Sequence, residues 1–185
     1  MQLITAIGDS ITEGFPFRRE DSWVELAARE LGIDIVNRGV CGDLTRDMLR
    51  RFPQDVLGLN PTHVIIMGGT NDAFARLPLS TVSANYQAMV ELSCKNNILP
   101  IFGLPVPSIF PEDEGFLSDY REWLEEYAQA EDIPVIDFYS PFNRAFRTGK
   151  GRELLGDGVH PSLAGYRLMA KTAFQVLKLG ASDSR

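Results

Sequence analysis

Side chains that could carry out acyl transfer are concentrated in four short segments of this sequence. They supply a serine hydroxyl, glycine backbone amides, an asparagine carboxamide, and an aspartate three residues before a histidine. A serine nucleophile, its general base and an oxyanion-binding site require groups of these types. The segments are Gly8-Asp9-Ser10, Asn37 to Gly42, Gly68 to Asp72 and Asp157 to Pro161.

Ser10 needs a general base, because a serine hydroxyl is a weak nucleophile at neutral pH. Histidine suits this role, and the chain has 2 histidines. His63 lies at the amino end of a predicted strand, the wrong edge of a sheet for a site, so we interpret it as structural. His160 lies in a loop, where Asp157 can orient the imidazole and stabilise its cation. Taken alone, this spacing also fits an aspartate that caps a turn beside a surface histidine.

The negative oxygen of a tetrahedral intermediate needs hydrogen-bond donors that are already in place. The backbone N–H of Gly39, the side-chain amide of Asn71 and the backbone N–H of Ser10 are candidates. Each has another interpretation. Gly39 and Gly42 fit a tight turn between strand and helix, Asn71 fits an Asx-turn, and Ser10 fits a helix cap.

The elements that must position these residues alternate between short apolar runs and longer segments with helical spacing. The runs predict strands over Leu3 to Ile7, Ile33 to Asn37, His63 to Met67, Leu99 to Gly103 and Val135 to Asp137. The longer segments predict helices over Ser22 to Leu31, Thr45 to Leu57, Thr81 to Asn96, Ser118 to Glu131 and Ser162 to Leu179. Because the connections are too long for tight hairpins, we expect right-handed crossovers and a parallel sheet with helices on both faces.

The sequence therefore predicts an α/β fold, a three-layer α/β/α sandwich that forms a single domain over residues 1–185. Open parallel sheets bind ligands beyond the carboxyl ends of their strands, where the segments that could do chemistry fall. Their joint placement at one edge favours a site over four unrelated turns.

Three local patterns add detail to this prediction. Ser22-x-x-Glu25 predicts a capping box at the start of a helix. The stretch Leu104 to Phe116, rich in proline and aromatic residues, predicts a long irregular loop. An apolar stripe at helical spacing favours core packing, and its members are Tyr120, Trp123, Leu124, Tyr127 and Ala128.

The four segments resemble, in order and rough spacing, the sequence blocks of the GDSL or SGNH hydrolases. The matching residues are Gly8-Asp9-Ser10, the turn at Gly39, Gly69-Thr70-Asn71-Asp72 and Asp157-Gly158-Val159-His160. The resemblance implies a flavodoxin-like, five-stranded parallel sheet in the order 2-1-3-4-5. It implies Ser10 as nucleophile, His160 as general base and then acid, and Asp157 as the residue that orients it. It also implies an oxyanion hole made by Ser10, Gly39 and Asn71.

Asp9 and Asp72 have no role in that chemistry, and we expect them to support the site through hydrogen bonds that hold their loops. The leading hypothesis is a serine hydrolase that needs no cofactor or metal and forms an acyl-enzyme on Ser10. We expect its partner to be a small-molecule ester with a short- to medium-chain acyl group, with thioesters and lysophospholipids as variants. A carbohydrate acetyl esterase of the same family is the main alternative.

Two apolar loops are expected to flank the site, because each follows a strand. They run from Ala73 to Leu79 and from Leu104 to Phe110. They fit a shallow groove for an acyl chain or a hydrophobic alcohol, and they equally fit a hydrophobic underside that packs the loops down.

Two hypotheses of other classes remain open at this point. Asp9, Asp72 and Asp157 could bind Mg²⁺ in a metal-dependent phosphohydrolase, because carboxylates are hard oxygen ligands. The loop from Gly8 to Gly14 could cradle a phosphate in a non-catalytic binding protein. That loop lacks both glycine-rich phosphate-binding patterns, and Asp9 and Glu13 would repel phosphate.

Composition and charge exclude several classes of protein. The 18 Lys and Arg against 25 Asp and Glu give a net charge of −7, which disfavours nucleic acid as a partner. The longest apolar stretches fall short of the roughly 20 residues that a membrane-spanning helix needs.

Cys41 and Cys94 lack metal-binding spacing and are expected to be unpaired. The first residues show no basic segment of a secretory signal, so we expect a cytoplasmic protein, or a secreted one given from its mature start.

Overall fold

The computed structural model describes residues 3–182, with side chains up to residue 178. The chain forms a five-stranded parallel sheet in the order β2-β1-β3-β4-β5. The strands are β1 (Leu3–Gly8), β2 (Asp34–Gly39), β3 (His63–Met67), β4 (Leu99–Gly103) and β5 (Val135–Ile136). The predicted α/β class and the predicted strand order are both confirmed.

Helices connect the strands and cover both faces of the sheet. In chain order they are α1 (Ser10–Glu13), α2 (Trp23–Leu31), α3 (Thr45–Asp55), α4 (Thr70–Phe74), α5 (Leu79–Lys95), α6 (Pro111–Ala130), α7 (Tyr139–Arg147), α8 (Gly151–Leu154) and α9 (Leu163–Ser182). The sequence patterns missed α1, α4, α7 and α8. Helices α1, α4 and α8 have only 4 or 5 residues, too few to show a helical period, whereas α7 has 9 residues.

The side chains of the inner strands β1, β3 and β4 alternate between two apolar cores, one on each face of the sheet. In β1, Ile4 and Ala6 belong to the core beneath α2 and α9, whereas Ile7 belongs to the core beneath α3, α5 and α6. In β3, Ile65 and Ile66 divide between the same two cores. Because both faces of these strands are buried, they read as continuous apolar runs in the sequence.

The carboxyl ends of the three strands nearest the site stop at one level. Gly8 at the end of β1 pairs with Gly39 in β2 and with Met67 in β3. The segments that carry Ser10 and Asn71 therefore start side by side at the same edge of the sheet.

Helix α6 corrects one prediction. The stretch from Leu104 was expected to be irregular as far as Phe116, but α6 already begins at Pro111. Proline is well tolerated in the first turn of a helix, since its missing N–H has no partner there. Acidic residues at positions 112, 113 and 114 then face the positive end of the helix dipole.

The predicted apolar stripe of α6 agrees with the structure, and the predicted capping box of α2 agrees with it in part. Tyr120, Leu124 and Ala128 are buried in the core beneath α6, with Trp123 and Tyr127 packed at its margin. At the start of α2, the Glu25 N–H donates to Ser22 Oγ at 3.3 Å, which is half of the predicted capping box. The Ser22 N–H donates instead to the Arg19 carbonyl.

Over residues 3–182, no helix combines the length and the apolar character needed to cross a bilayer.

Candidate active site

Ser10 lies at the carboxyl end of β1 because a short helix begins directly after the strand. The backbone N–H of Ile11 donates to Asp9 Oδ1 at 2.9 Å, so Asp9 caps α1. Ser10 is the first residue of that helix and is mostly buried. Its Oγ lies 2.9 Å from His160 Nε2. This contact brings together two residues that lie 150 positions apart in the sequence.

Asp157 holds His160 in one orientation through both carboxylate oxygens. Its Oδ2 lies 2.7 Å from His160 Nδ1, and its Oδ1 accepts the backbone N–H groups of Val159 and His160 at 2.9 and 2.7 Å. Because a carboxylate can only accept, the Nδ1 atom carries the proton and Nε2 is left to accept from the Ser10 hydroxyl. The structure thus brings together three residues that the sequence placed in one relay.

The charge of Asp157 is stabilised by the same contacts. Burial alone would raise its pKa, but hydrogen bonds from the backbone and ring of His160 and from the Val159 N–H outweigh burial and lower the pKa to about 2. The carboxylate is therefore ionised at any pH near neutrality, as an orienting group for a histidine requires.

Phe15 packs against another side of the His160 ring. The two ring centroids lie 4.8 Å apart in an edge-to-face arrangement. The Tyr166 hydroxyl of α9 donates to the Phe15 carbonyl at 2.7 Å. Phe15 and Tyr166 were not recognised from the sequence, because nothing local relates two residues so far apart.

Two of the predicted oxyanion donors are available. Ser10 has a backbone N–H with no acceptor inside α1, because it occupies the first position of the helix. Asn71 lies in α4 and donates one amide hydrogen to the Asp43 carbonyl at 2.9 Å. A primary amide has two hydrogens, so one remains for a ligand, and Asn71 lines the same cavity as His160.

Gly39 does not provide the donor that was expected of it. Its N–H already donates to Asn37 Oδ1 at 2.9 Å. A Cβ at this position would lie 2.1 Å from the backbone nitrogen of Glu13, so a glycine is needed here because α1 lies directly on the end of β2. The assignment of Gly39 to the oxyanion hole is corrected: its role is close packing.

Gly42, three residues further on, is better placed as the third donor. Its φ is +81°, which turns the backbone sharply just before Asp43, the residue whose carbonyl Asn71 binds. In the described part of the chain, the hydrogen bonds of this turn involve Val40, Cys41 and Asp43 but leave the Gly42 N–H without an acceptor. From the sequence alone, Gly42 was recognised only as a turn residue.

The turn that carries Gly42 is fixed by charged residues outside the predicted set. The Cys41 N–H donates to Glu13 Oε2 at 2.9 Å. Arg51 of α3 donates to Asp43 Oδ2 at 2.6 Å and to the Gly8 carbonyl at 2.8 Å. Arg51 therefore ties the turn to the end of β1, just before Ser10.

Asp9 is almost fully buried, with 1% of its surface exposed. Burial raises its pKa to about 6, and the hydrogen bond from the Ile11 N–H and the nearby charge of His160 only partly oppose this effect. Asp9 therefore holds its loop, as expected, through a carboxyl group that ionises with difficulty.

Asp72 connects the end of β3 to the start of α3. It accepts hydrogen bonds from the backbone N–H and the hydroxyl of Thr45, the latter at 2.6 Å. Burial raises the pKa of Asp72, and the bonds from Thr45 oppose the change. These contacts agree with the supporting role expected of Asp72.

A cavity of about 390 Å³ opens beside His160 and Asn71. Its walls come from both loops that were expected to flank the site, and the lining residues include Thr70, Phe74, Ser108, Phe110, Asp113, Leu117 and Val159. Phe74, Phe110, Asp113 and Val159 also line a second space of about 650 Å³ further out. The two spaces form one groove that leads away from His160, with an Arg76–Glu112 ion pair at its outer part.

The first flanking loop serves both of the purposes that its sequence suggested. Phe74 is 78% exposed and forms a wall of the groove. Leu77 and Leu79 pack against the core beneath α5. An apolar loop sequence does not show which of its residues turn outward.

Three other sequence expectations are resolved by position. Within the described residues, no group of three or more His, Cys, Asp and Glu side chains could hold a metal ion, and Asp9, Asp72 and Asp157 each bind different partners. The phosphohydrolase hypothesis therefore has no ligand cluster to support it.

His63 begins β3 at the amino ends of the strands, opposite the candidate site, where its Nδ1 lies 2.9 Å from Thr62 Oγ1. Cys41 and Cys94 are both free and exposed.

Comparisons with known proteins identify a family and several relatives of this chain. Residues 6–168 match the GDSL-like lipase/acylhydrolase family. An acetylxylan esterase of Geobacillus stearothermophilus is 28% identical over 155 residues, which cover 77% of this chain and 71% of that protein. An arylesterase of Vibrio mimicus is 27% identical over 166 residues, covering 85% and 79%. The solved structure of a protein of the G-D-S-L family from Desulfitobacterium hafniense superimposes with a TM-score of 0.87 at 34% identity, covering 95% of this chain and 99% of that one.

Proposed function

Because the chain belongs to the GDSL-like lipase/acylhydrolase family, we propose that it hydrolyses carboxylic esters through an acyl-enzyme formed on Ser10. The observation that carries the proposal is the relay from Ser10 Oγ through His160 to Asp157, with contacts of 2.9 and 2.7 Å. A nucleophile in contact with a base that a carboxylate orients is the arrangement that activates a serine for acyl transfer.

In the first half of the reaction, Ser10 Oγ attacks the ester carbonyl carbon while its proton passes to His160 Nε2. The carbonyl π electrons move to the oxygen, which becomes an oxyanion. When this intermediate collapses, the bond to the alcohol oxygen breaks, and His160 gives its proton to the departing alcohol. An acyl group remains on Ser10.

In the second half, a water molecule attacks the acyl-enzyme while His160 Nε2 takes one of its protons. The second tetrahedral intermediate collapses, its bond to Ser10 breaks, and His160 returns the proton to Ser10 Oγ. The carboxylic acid then leaves. Throughout, Asp157 stabilises the charged imidazolium form of His160 without taking the proton itself.

The oxyanion is bound by the backbone N–H of Ser10, the backbone N–H of Gly42 and the free amide hydrogen of Asn71. Support for this set comes from the Asn71 bond to the Asp43 carbonyl, which brings the side chain against the turn that carries Gly42. Donors fixed in this way need no reorganisation as the charge develops.

We propose a short- to medium-chain acyl ester as substrate. The groove beside His160 is lined by aromatic and aliphatic side chains, and its inner volume of about 390 Å³ is small for a ligand pocket. Acyl thioesters and lysophospholipids remain variants of the same chemistry.

Removal of acetyl groups from a carbohydrate is the second candidate. Asp113 lines both parts of the groove and has no hydrogen-bond or ion-pair partner among residues 3–178, so its carboxylate is free to accept hydrogen bonds from sugar hydroxyls. The relative from Geobacillus stearothermophilus is an acetylxylan esterase, which adds support.

The proposed function is tested by Ser10→Ala, with Ser93→Ala as the matched control. Ser93 is also a buried serine, but it only donates to the Met89 carbonyl within α5. A fluorophosphonate probe should label the wild type and the Ser93 variant on Ser10, as read by mass spectrometry, and 4-nitrophenyl acetate hydrolysis should be lost only in Ser10→Ala. Full hydrolysis by a folded Ser10→Ala variant would refute the mechanism.

The substrate is tested by a series of 4-nitrophenyl esters from acetate to octanoate, run beside acetylated xylo-oligosaccharides. A rise in kcat/KM as the acyl chain lengthens from acetate supports the acyl-ester proposal. Maximal turnover on the acetylated sugar, with no gain from longer acyl chains, would favour the carbohydrate esterase instead.

A further inference from the structure

Residues 107–110 form a short segment, here called the backing loop, that lies behind the residues of the acid–base relay. Ser108 and Phe110 face the groove that contains His160. Pro107, Ser108 and Ile109 face a different cavity of about 430 Å³ on the other side. Because there is open space on both sides, close packing alone does not fix the backing loop, unlike a segment in a protein core.

The backing loop is in direct contact with the loop that carries Asp157 and His160. The Ile109 N–H donates to the Gly158 carbonyl at 2.9 Å. Gly158 has a φ of +95°, and a Cβ there would lie 2.5 Å from the Ile109 side chain. Ile109 therefore packs directly against the backbone between Asp157 and His160.

An ion pair of α6 holds the backing loop in place. The Ser108 N–H donates to Glu114 Oε2 at 2.8 Å, and the other oxygen of Glu114 accepts from the guanidinium of Arg121. Arg121 is only 5% exposed and also donates to the Pro105 carbonyl at 3.3 Å. Its guanidinium carbon lies 4.0 Å from the centre of the Tyr139 ring, a cation–π contact.

We propose that Arg121 and Glu114 are positioning residues for the reaction, because they fix the backing loop and, through Ile109 and Gly158, the loop of Asp157 and His160. Neither side chain touches the reacting atoms. The inference rests on the proposed roles of Ser10 and His160. It adds a path of hydrogen bonds that leads from α6 through the backing loop to the loop that carries His160.

The chemistry of the pair makes this path sensitive to its members. Arg121 contacts the Glu114 carboxylate, the Pro105 carbonyl and the Tyr139 ring, whereas lysine carries a single ammonium that cannot reproduce this planar geometry. Glu114→Gln keeps one oxygen that can accept the Ser108 N–H but removes the charge that holds Arg121. Arg121→Lys therefore weakens the contacts of the guanidinium, whereas Glu114→Gln removes the ion pair with Arg121 and can keep the hydrogen bond from the Ser108 N–H.

The test compares Arg121→Met, Arg121→Lys and Glu114→Gln with the wild type in 4-nitrophenyl acetate hydrolysis. A displacement of about 1 Å at a reacting group can lower a rate on the order of 10²-fold, so we expect a fall in kcat of that size for Arg121→Met, with KM changed much less. Arg121→Lys should recover part of the lost kcat, since it still donates to Glu114. Labelling of Ser10 by the fluorophosphonate should slow in parallel.

A stability-matched control separates positioning from loss of fold. Val90→Ala removes buried apolar volume in the core beneath α5, away from the backing loop, and should lower the melting temperature while kcat is unchanged. The inference is overturned if Arg121→Met loses no more kcat than Val90→Ala, or if its KM alone changes. Failure of the proposed function would look different, because a folded Ser10→Ala variant would then stay active.

Discussion

Asn71 donates a hydrogen bond from its side-chain amide to the backbone carbonyl of Asp43 at 2.9 Å. The bond crosses from the loop after β3 to the turn after β2, and so joins the two segments that carry the proposed oxyanion donors on either side of Ser10. It leaves one amide hydrogen of Asn71 for the substrate.

Asn71→Ala should lower kcat for 4-nitrophenyl acetate by about 10²- to 10³-fold, because it removes one donor to the oxyanion and frees the turn at Asp43. KM should change little, since the donor acts most strongly once the charge has formed. Steady-state kinetics measures both constants. Asn96→Ala is the control, because Asn96 makes a similar bond to the Leu92 carbonyl at the exposed end of α5. A loss below fivefold would remove Asn71 from the oxyanion site.

Asp157→Asn should lower kcat on the order of 10²- to 10⁴-fold, because an amide at this position cannot stabilise the His160 cation as a carboxylate does. The pKa of Asp157 is lowered to about 2, mainly by hydrogen bonds from His160 that outweigh the effect of burial, so the wild-type carboxylate is ionised throughout the range from pH 4 to 9. Because Asp157 does not become protonated in that range, the ratio of wild-type kcat to variant kcat should not decrease as the pH is lowered from 9 to 4. A profile in which the two converge at pH 5 would contradict this assignment.

Asp9→Asn should stabilise the protein at pH 8 and leave its stability nearly unchanged at pH 4. Burial raises the pKa of Asp9 from the ordinary 3.8 to about 6, so the folded state binds the proton more tightly than the unfolded state. Stability therefore falls as pH rises from about 4 to about 6 and stays at the lower level above. Asparagine keeps an oxygen for the Ile11 N–H and never ionises.

The gain expected from this substitution at pH 8 is on the order of 1 to 3 kcal/mol in the free energy of unfolding, measured by urea titration at the two pH values. Asp34→Asn, which removes a carboxylate at an exposed position in β2, serves as the control. An Asp9→Asn variant that is equally destabilised at both pH values would show that Asp9 does not change its protonation in the folded state between pH 4 and pH 8, and would contradict the raised pKa.

Phe74→Ala should reduce the preference for longer acyl chains without lowering stability, because this ring is highly exposed and forms a wall of the groove. Each buried CH₂ contributes about 0.8 kcal/mol, so each methylene that loses its contact lowers kcat/KM about fourfold. The ratio of kcat/KM for 4-nitrophenyl hexanoate to that for the acetate measures the change. Leu99 is also an exposed apolar residue, but it lies at the amino end of β4, away from the groove, so Leu99→Ala should leave this ratio unchanged. An unchanged ratio in Phe74→Ala would place the acyl chain elsewhere.

The sheet and the Asp157–His160 pair were accessible from the sequence because each depends on local patterns. Buried parallel strands produce apolar runs, and residues that follow such runs meet at one edge, as Ser10 and Asn71 do. Asp157 and His160 are neighbours along the chain, so their pairing needs no knowledge of the rest of the fold.

The oxyanion turn was not accessible in the same way. Gly39 and Gly42 are both glycines in one turn, and only the side chain of Asn37, which takes up the Gly39 N–H, decides between them. Arg51 and Arg121 act across 43 and 16 residues of sequence, and an arginine in a helix gives no local sign of such a partner. The start of α6 was missed because Pro111 is read as a loop residue unless it is recognised as a first-turn proline.

The contact between Ser10 and His160 spans 150 residues of sequence and unites the first helix with the loop before the last one. Closing so long a loop is entropically costly, and folding is slow where distant contacts dominate. During synthesis, Ser10 emerges 150 residues ahead of His160. The return of esterase activity after dilution from urea would therefore report one of the longest-range closures of the fold, whereas recovery of helical circular dichroism can precede it.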